Sequence, residues 1–100
     1  MITENIVLES SLKKQLKHLS IDNGLHVSTM LIDGAKYFLS TNSNIVPALF
    51  DSEEAFTMKI DEGLKQEIKT FCAEKDIRIK DFWNEVAHIV VQKEGVVSDV

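Results

Sequence analysis

The chain has 100 residues, of which 44% are hydrophobic, and this is enough for one small domain with a modest packed core. No apolar run approaches the roughly 18 residues of a membrane span and no basic secretion signal opens the chain, so a cytoplasmic protein without membrane contact is expected. One cysteine and three scattered histidines offer neither a disulfide nor metal-ligand spacing, so no metal and no cofactor are predicted. Cys72 is interpreted as a buried thiol within helix packing.

The formal net charge of −5 argues at first against an anionic partner, because phosphate contacts need lysine and arginine. The distribution of the charge weakens that objection. Residues 1–40 hold four bases and four acids, and residues 55–93 hold seven of each. The whole excess lies outside these two blocks, in Asp51, Glu53, Glu54, Glu94 and Asp99. Two neutral blocks are therefore joined by an acidic segment and followed by an acidic tail.

The first block predicts a strand followed by two helices. Apolar Ile6 and Leu8 alternate with other residue types, which is the period of a strand with one buried face. Leucines at helical spacing follow, and Asn23-Gly24 marks a turn before a second helix that begins near Ser28. Polar residues and Pro47 indicate that this helix has ended before the connecting segment, where a short helical turn after Pro47 is compatible with the pattern.

The second block repeats this order. Apolar and polar residues alternate from Phe56 to Ile60, Asp61 is suited to cap a helix, and Lys75-Asp76 marks that helix's end. A last helix is predicted to start near Lys80-Asp81. Apolar residues cover most of its surface, so one polar stripe is predicted to face solvent: Asn84, Glu85, His88 and Gln92. Residues 94–100 form the acidic tail.

The two blocks align without a gap at an offset of 52 residues, and strand, turn and both helices coincide. We interpret the chain as one domain made of two repeats, residues 3–40 and 55–93, joined by residues 41–54. A lone strand with two helices leaves its backbone groups unpaired and its apolar faces uncovered. We therefore predict that Thr3–Glu9 and Ala55–Asp61 pair as an antiparallel ribbon over four helices.

On these residues the chain resembles the ribbon-helix-helix superfamily of Arc and MetJ-type DNA-binding proteins. The resemblance is carried by the strands NIVLE and TMKID, by the helix starts SSLKKQL and EGLKQEI, and by the turn NGLHVST, which places Ser28 where such proteins begin their second helix. In that superfamily the two units normally come from two subunits. The resemblance implies a mainly α fold with a two-stranded antiparallel β-ribbon, formed here as an intramolecular pseudo-dimer.

The chain also departs from the superfamily pattern. Strands of the superfamily usually display several Arg, Lys, Gln or Asn residues outward, whereas the first strand here offers only Thr3, Asn5 and Val7. The second turn has no glycine, and Lys80-Asp81 replaces Ser28-Thr29. Glu4 aligns with Phe56, whose side chain is predicted to face the core. A charged residue at such an inward position predicts fraying of the first strand there.

The resemblance implies that the ribbon enters the major groove of double-stranded DNA. The register turns alternate strand residues outward, and the predicted base-reading residues are Thr3, Asn5, Val7, Thr57 and Lys59. Predicted phosphate contacts lie at the starts of the second helices, where amide N–H groups face anions: His26, Ser28, Thr29, Arg78 and Lys80. Helix capping is the alternative role for Ser28 and Asp81. Lysines of the first helices are interpreted as solvated: Lys13, Lys14, Lys17, Lys65 and Lys69.

The resemblance implies sequence-specific DNA binding. The protein would act as a transcriptional repressor or as an accessory protein in plasmid or conjugative DNA processing. Because Asn5 and Val7 differ from Thr57 and Lys59, an asymmetric DNA site is predicted. Further copies of the chain side by side, or a DNA-processing protein, are additional expected partners. The alternative is a protein-interaction module, an antitoxin-like or assembly factor with little DNA affinity. No enzyme is predicted, since the sequence has no nucleophile-base or Gly-rich phosphate motif.

Overall fold

A computed structural model describes residues 1–41 and 52–95. Its elements are β1 (Ile2–Glu9), α1 (Ser10–Asn23), α2 (Val27–Thr41), β2 (Glu53–Ile60), α3 (Glu62–Lys75) and α4 (Ile79–Gln92). The predicted mainly helical fold with a two-stranded antiparallel sheet is confirmed. The turn considered after Pro47 and residues 96–100 of the acidic tail lie outside the described residues. None of the helices described is long and apolar enough to cross a membrane.

The two strands pair in antiparallel fashion over their whole lengths, from Ile2 opposite Ile60 to Glu9 opposite Glu53. The strand pairing predicted from the sequence is therefore confirmed. Alternation along each strand turns every second side chain toward the helices, and the buried ones are Ile6, Leu8, Met58 and Ile60. The ribbon thus has an apolar inner face, which covers the helical core, and an outward face in solvent.

Two details of the strands differ from the prediction. The sequence pattern assigns Glu53 and Glu54 to the connecting segment, whereas both belong to β2, because pairing with β1 continues to Glu9. The fraying predicted at Glu4 does not occur, since β1 is continuous from Ile2. Glu4 is half-buried, and its carboxylate lies 3.6 Å from the Lys65 ammonium, which compensates its charge beside the core.

The first helix of each block ends in the same way. Gly24 after α1 has φ 64° and ψ 30°, and Asp76 after α3 has φ 55° and ψ 50°, so both take the left-handed conformation. Aspartate is one of the few L residues that visit this region, which explains how the second turn works without glycine. At the other end of α3, Asp61 accepts a hydrogen bond from the Leu64 N–H at 3.3 Å, as expected of a capping residue.

The core lies where α2 crosses α4 beneath the ribbon. A Cβ atom on Gly34 would lie 2.7 Å from Val90 Cγ2 and 3.0 Å from Val86 Cγ1, so only glycine allows the two helices to approach this closely. An edge-to-face aromatic cluster with ring centroids 5.4–5.9 Å apart fills the space beside this crossing: Phe38, Phe71, Phe82 and Trp83. Cys72 is 4% exposed, which confirms the prediction of a buried thiol.

Candidate nucleic-acid interface

The outward face of the ribbon brings the predicted base-reading residues into one row. Thr3, Asn5, Thr57 and Lys59 are exposed, and Val7 is half-buried. The Thr57 hydroxyl donates to Asn5 Oδ1 at 2.9 Å, and Lys59 Nζ donates to the Thr3 hydroxyl at 3.1 Å. Such hydrogen bonds contribute only about 0.5–1.5 kcal/mol each, so base edges offering equal partners can replace them. The row can therefore present donors, acceptors and methyl groups to a ligand.

The same face ends in two acids, which were not predicted from the sequence. Glu9 and Glu53 lie opposite each other in the register, and strand alternation puts both on the outward face. The Glu9 carboxylate accepts a hydrogen bond from the Ser11 hydroxyl at 2.8 Å, and Glu53 pairs with Lys80. The outward face thus has a cationic end at Lys59 and an anionic end at this pair. Glu53 is an even number of residues from Thr57, and this spacing could have predicted that Glu53 shares the outward face.

The start of α2 is open to an anion. The helix begins at Val27, one residue before the predicted start, and the Met30 N–H donates to the His26 carbonyl oxygen at 3.2 Å. His26 and Thr29 are exposed, and Ser28 is half-buried. The first turn of this helix contains no acidic residue. Amide N–H groups at such a helix start attract phosphates, and the first turn places no acid beside them, so this predicted site can accept an anion.

The start of α4 is occupied by ion pairs within the chain. Arg78 donates to both carboxylate oxygens of Asp81, from Nε at 2.8 Å and from Nη2 at 2.9 Å, and Asp81 is 4% exposed. These hydrogen bonds and the charge of Asp81 raise the pKa of Arg78 above its ordinary value. Lys80 pairs with Glu53. Both cations predicted to bind phosphate here are therefore engaged by acids, and this side offers less to DNA than the start of α2.

Asn84 fixes the edge of β1 against α4, a role that was not predicted. It is 5% exposed, so its assignment to the solvent-facing stripe is wrong. Its amide nitrogen donates to the carbonyl oxygens of Val7 at 2.9 Å and Lys80 at 2.8 Å, and its oxygen accepts from the Glu9 N–H at 2.8 Å. The outer edge of a two-stranded ribbon presents backbone groups that no third strand pairs. One inward-pointing amide satisfies two of them and holds the ribbon in place.

Among residues 1–41 and 52–95, no group of three or more histidine, cysteine, aspartate and glutamate side chains is arranged to hold a metal ion. Comparison of the chain with protein-family models, with curated proteins and with solved structures finds no match. The geometry of the chain itself is therefore the basis for proposing its function.

Proposed function

We propose that the chain is a tandem ribbon-helix-helix protein, folded as an intramolecular pseudo-dimer, which binds double-stranded DNA by placing its β-ribbon in the major groove. The observation that carries the proposal is the outward row of Thr3, Asn5, Thr57 and Lys59 on an antiparallel ribbon. A two-stranded ribbon fits the width of the major groove, and these side chains carry the groups that distinguish base pairs there.

Two contacts in different layers support a pseudo-twofold arrangement. Asn5 bonds to Thr57 at the centre of the ribbon, and these residues are 52 positions apart. Gly34 and Val86 meet where α2 crosses α4, and their numbers differ by the same amount. A rotation that exchanges two repeats must bring each residue on its axis next to its own counterpart. One axis through both contacts therefore accounts for the ribbon and the helix layer together.

The chemistry of the row favours an asymmetric DNA site. Asn5 can bond in a bidentate manner to adenine, Lys59 can donate to guanine, and threonine or valine methyl groups can contact the thymine methyl. On one side of the central pair Thr3 lies opposite Lys59, and on the other Val7 lies opposite Ala55. The two halves of the ribbon thus offer different groups, so they select different bases.

The helix starts supply phosphate contacts of unequal strength. The start of α2 at Ser28 and Thr29 is open, whereas Arg78 and Lys80 at the start of α4 are paired with acids. Repression of transcription and assistance in DNA processing both require a protein that binds one specific DNA site. A protein that binds DNA in this way could serve in either role.

A protein-interaction module is the second candidate, and one observation favours it. Glu9 and Glu53 place two carboxylates on the outward face that would lie in the groove, where they repel phosphates. In that case the ribbon face would bind a protein segment instead of DNA.

Selection of bound duplexes from a random pool, followed by mobility shift at low and moderate salt, tests the proposal. We expect enrichment of a non-palindromic sequence and weaker binding of it by Lys59→Ala. Lys69→Ala, which removes an exposed lysine from α3, serves as the matched control and should bind as the wild type does. No shift even at low salt would exclude DNA binding, since phosphate contacts are strongest there, and would leave the protein-interaction module.

A further inference from the structure

A cleft of about 580 Å³ lies between α1 and the start of β2. Among the described residues, hydroxyl groups and cations line it, with a single acid: Ser10, Ser11, Ser52, Lys13, Lys14, Lys17 and Glu54. Three lysines against one glutamate give this described part of the lining a charge of +2, in a chain whose net charge is −5. Hydroxyl donors beside ammonium groups are the chemistry that binds phosphate oxygens.

The net positive charge of α1 is not repeated in the second block. From Ser10 to Ile21 the chain has three lysines, one histidine and no acid, whereas the aligned residues 62–73 have two lysines and two glutamates. Lys14 and Lys17 are exposed, and neither forms an ion pair within the described part of the chain. An unbalanced basic face of this kind attracts a polyanion.

The cleft adjoins the ribbon. Lys13 Nζ donates to the backbone carbonyl oxygen of Ala55 at 3.0 Å, so the start of α1 lies beside strand β2. The Ser10 N–H donates to the Ser52 carbonyl oxygen at 3.2 Å, which ties the start of α1 to the residue before β2. A duplex that holds the ribbon in its major groove has one sugar-phosphate strand along each side of the ribbon. The cleft lies on the side of the ribbon that one of these two strands would follow.

On the opposite side of the ribbon, the positions aligned with the three cleft lysines carry less positive charge. Lys65, which aligns with Lys13, lies 3.6 Å from Glu4, Gln66 stands where the first block has Lys14, and Lys69 aligns with Lys17. We propose that Lys14 and Lys17 bind phosphates of the DNA backbone on the α1 side only, so that the protein lies on its DNA in one direction. This inference rests on the proposed DNA binding, and it revises the interpretation of these lysines as merely solvated.

The dependence of affinity on salt tests the inference without knowledge of the target sequence. Fluorescence anisotropy of a labelled duplex, titrated with protein at several salt concentrations, gives the slope of log K against log salt. Each phosphate contact contributes about 0.9 to that slope, so Lys14→Gln/Lys17→Gln should reduce its magnitude by about 1.8 and weaken binding at least roughly tenfold at low salt. The matched control is Lys69→Gln/Lys75→Gln, which removes two exposed lysines of α3 and should keep the wild-type slope.

Three outcomes would overturn the inference, and they identify what has failed. Equal loss of slope in both double variants would mean either a general charge effect or equal phosphate contacts on both sides of the ribbon, and either result would refute binding in one direction. A wild-type slope in Lys14→Gln/Lys17→Gln, together with weaker binding by Lys59→Ala, would refute the cleft and leave ribbon binding intact. Absence of binding by the wild type at low salt would refute the inference together with the proposed function.

Discussion

Replacement of Asn84 by alanine should destabilise the fold more than any exposed substitution of the same kind. The side chain is 5% exposed and makes two hydrogen bonds to the edge of β1, at 2.8 Å and 2.9 Å. Each bond of this type contributes about 1 kcal/mol, and alanine returns roughly 0.5 kcal/mol through its higher helix propensity. Val7 and Glu9, whose backbone groups lose their partner, are half-buried residues, which adds part of a desolvation penalty. We expect a loss of about 2 kcal/mol.

Urea unfolding followed by the fluorescence of Trp83, the single tryptophan, measures this loss. With a denaturant dependence of roughly 1.5 kcal/mol per molar, typical of a small domain, the midpoint should fall by about 1.3 M. Gln66→Ala, an exposed amide on α3, is the control and should leave the midpoint nearly unchanged.

A second variant separates hydrogen bonding from packing. Asn84→Leu keeps the number and branching of the side-chain heavy atoms but is larger and has no donor or acceptor, so it should be destabilised at least as much as Asn84→Ala. If Asn84→Leu unfolds at the wild-type midpoint, the amide does not hold the ribbon edge and the interpretation of this contact is wrong.

Three further predictions concern the second turn, the buried thiol and the acidic end of the ribbon. Asp76→Gly should raise the free energy of unfolding by about 0.5–1 kcal/mol in urea, because glycine adopts the left-handed conformation without strain, and a loss would contradict the cap geometry. Burial and the charge of Asp81 raise the pKa of Cys72 from 9.0 to about 11, so the unfolded state releases the thiol proton first and stability should fall between pH 9 and 11. Cys72→Ala should lose less stability than the wild type between pH 9 and 11. Identical pH dependence of the unfolding midpoint in the wild type and in Cys72→Ala would refute this prediction. Glu53→Gln should tighten DNA binding roughly three- to tenfold at low salt, since it removes a carboxylate from the outward face and breaks the pair with Lys80, whereas Glu74→Gln on α3 should not, as anisotropy titrations would test.

The strand pairing could be predicted because period two leaves few choices. Ile6 and Leu8 in one block and Phe56 to Ile60 in the other define which face of each strand is apolar, and two strands can cover a helical core only with those faces on the same side. The ends of the helices could also be predicted, since Asp61 precedes an amphipathic helical segment and Gly24 follows one. Local pattern and global packing agree at these positions.

The contacts at the start of α4 could not be predicted in the same way. A polarity pattern assigns Asn84 to solvent, because it carries no information on unpaired backbone groups at a strand edge in a distant part of the chain. The acidic charge of Glu53 favours its assignment to the connecting segment, although pairing with Glu9 extends β2 to include it. The pairing of Arg78 with Asp81 could have been predicted, because residues three apart on one helical turn lie close together.

The most direct test of DNA binding through the ribbon is a binding titration with Asn5→Ala/Lys59→Ala on a selected duplex at low salt. The wild type should bind, and the double variant should bind at least roughly tenfold more weakly, since each base contact contributes about 1–3 kcal/mol of discrimination. Both side chains are exposed, so the fold measured by urea unfolding should persist. Equal affinity of wild type and variant, or no binding by the wild type, would contradict the assignment of this face to DNA.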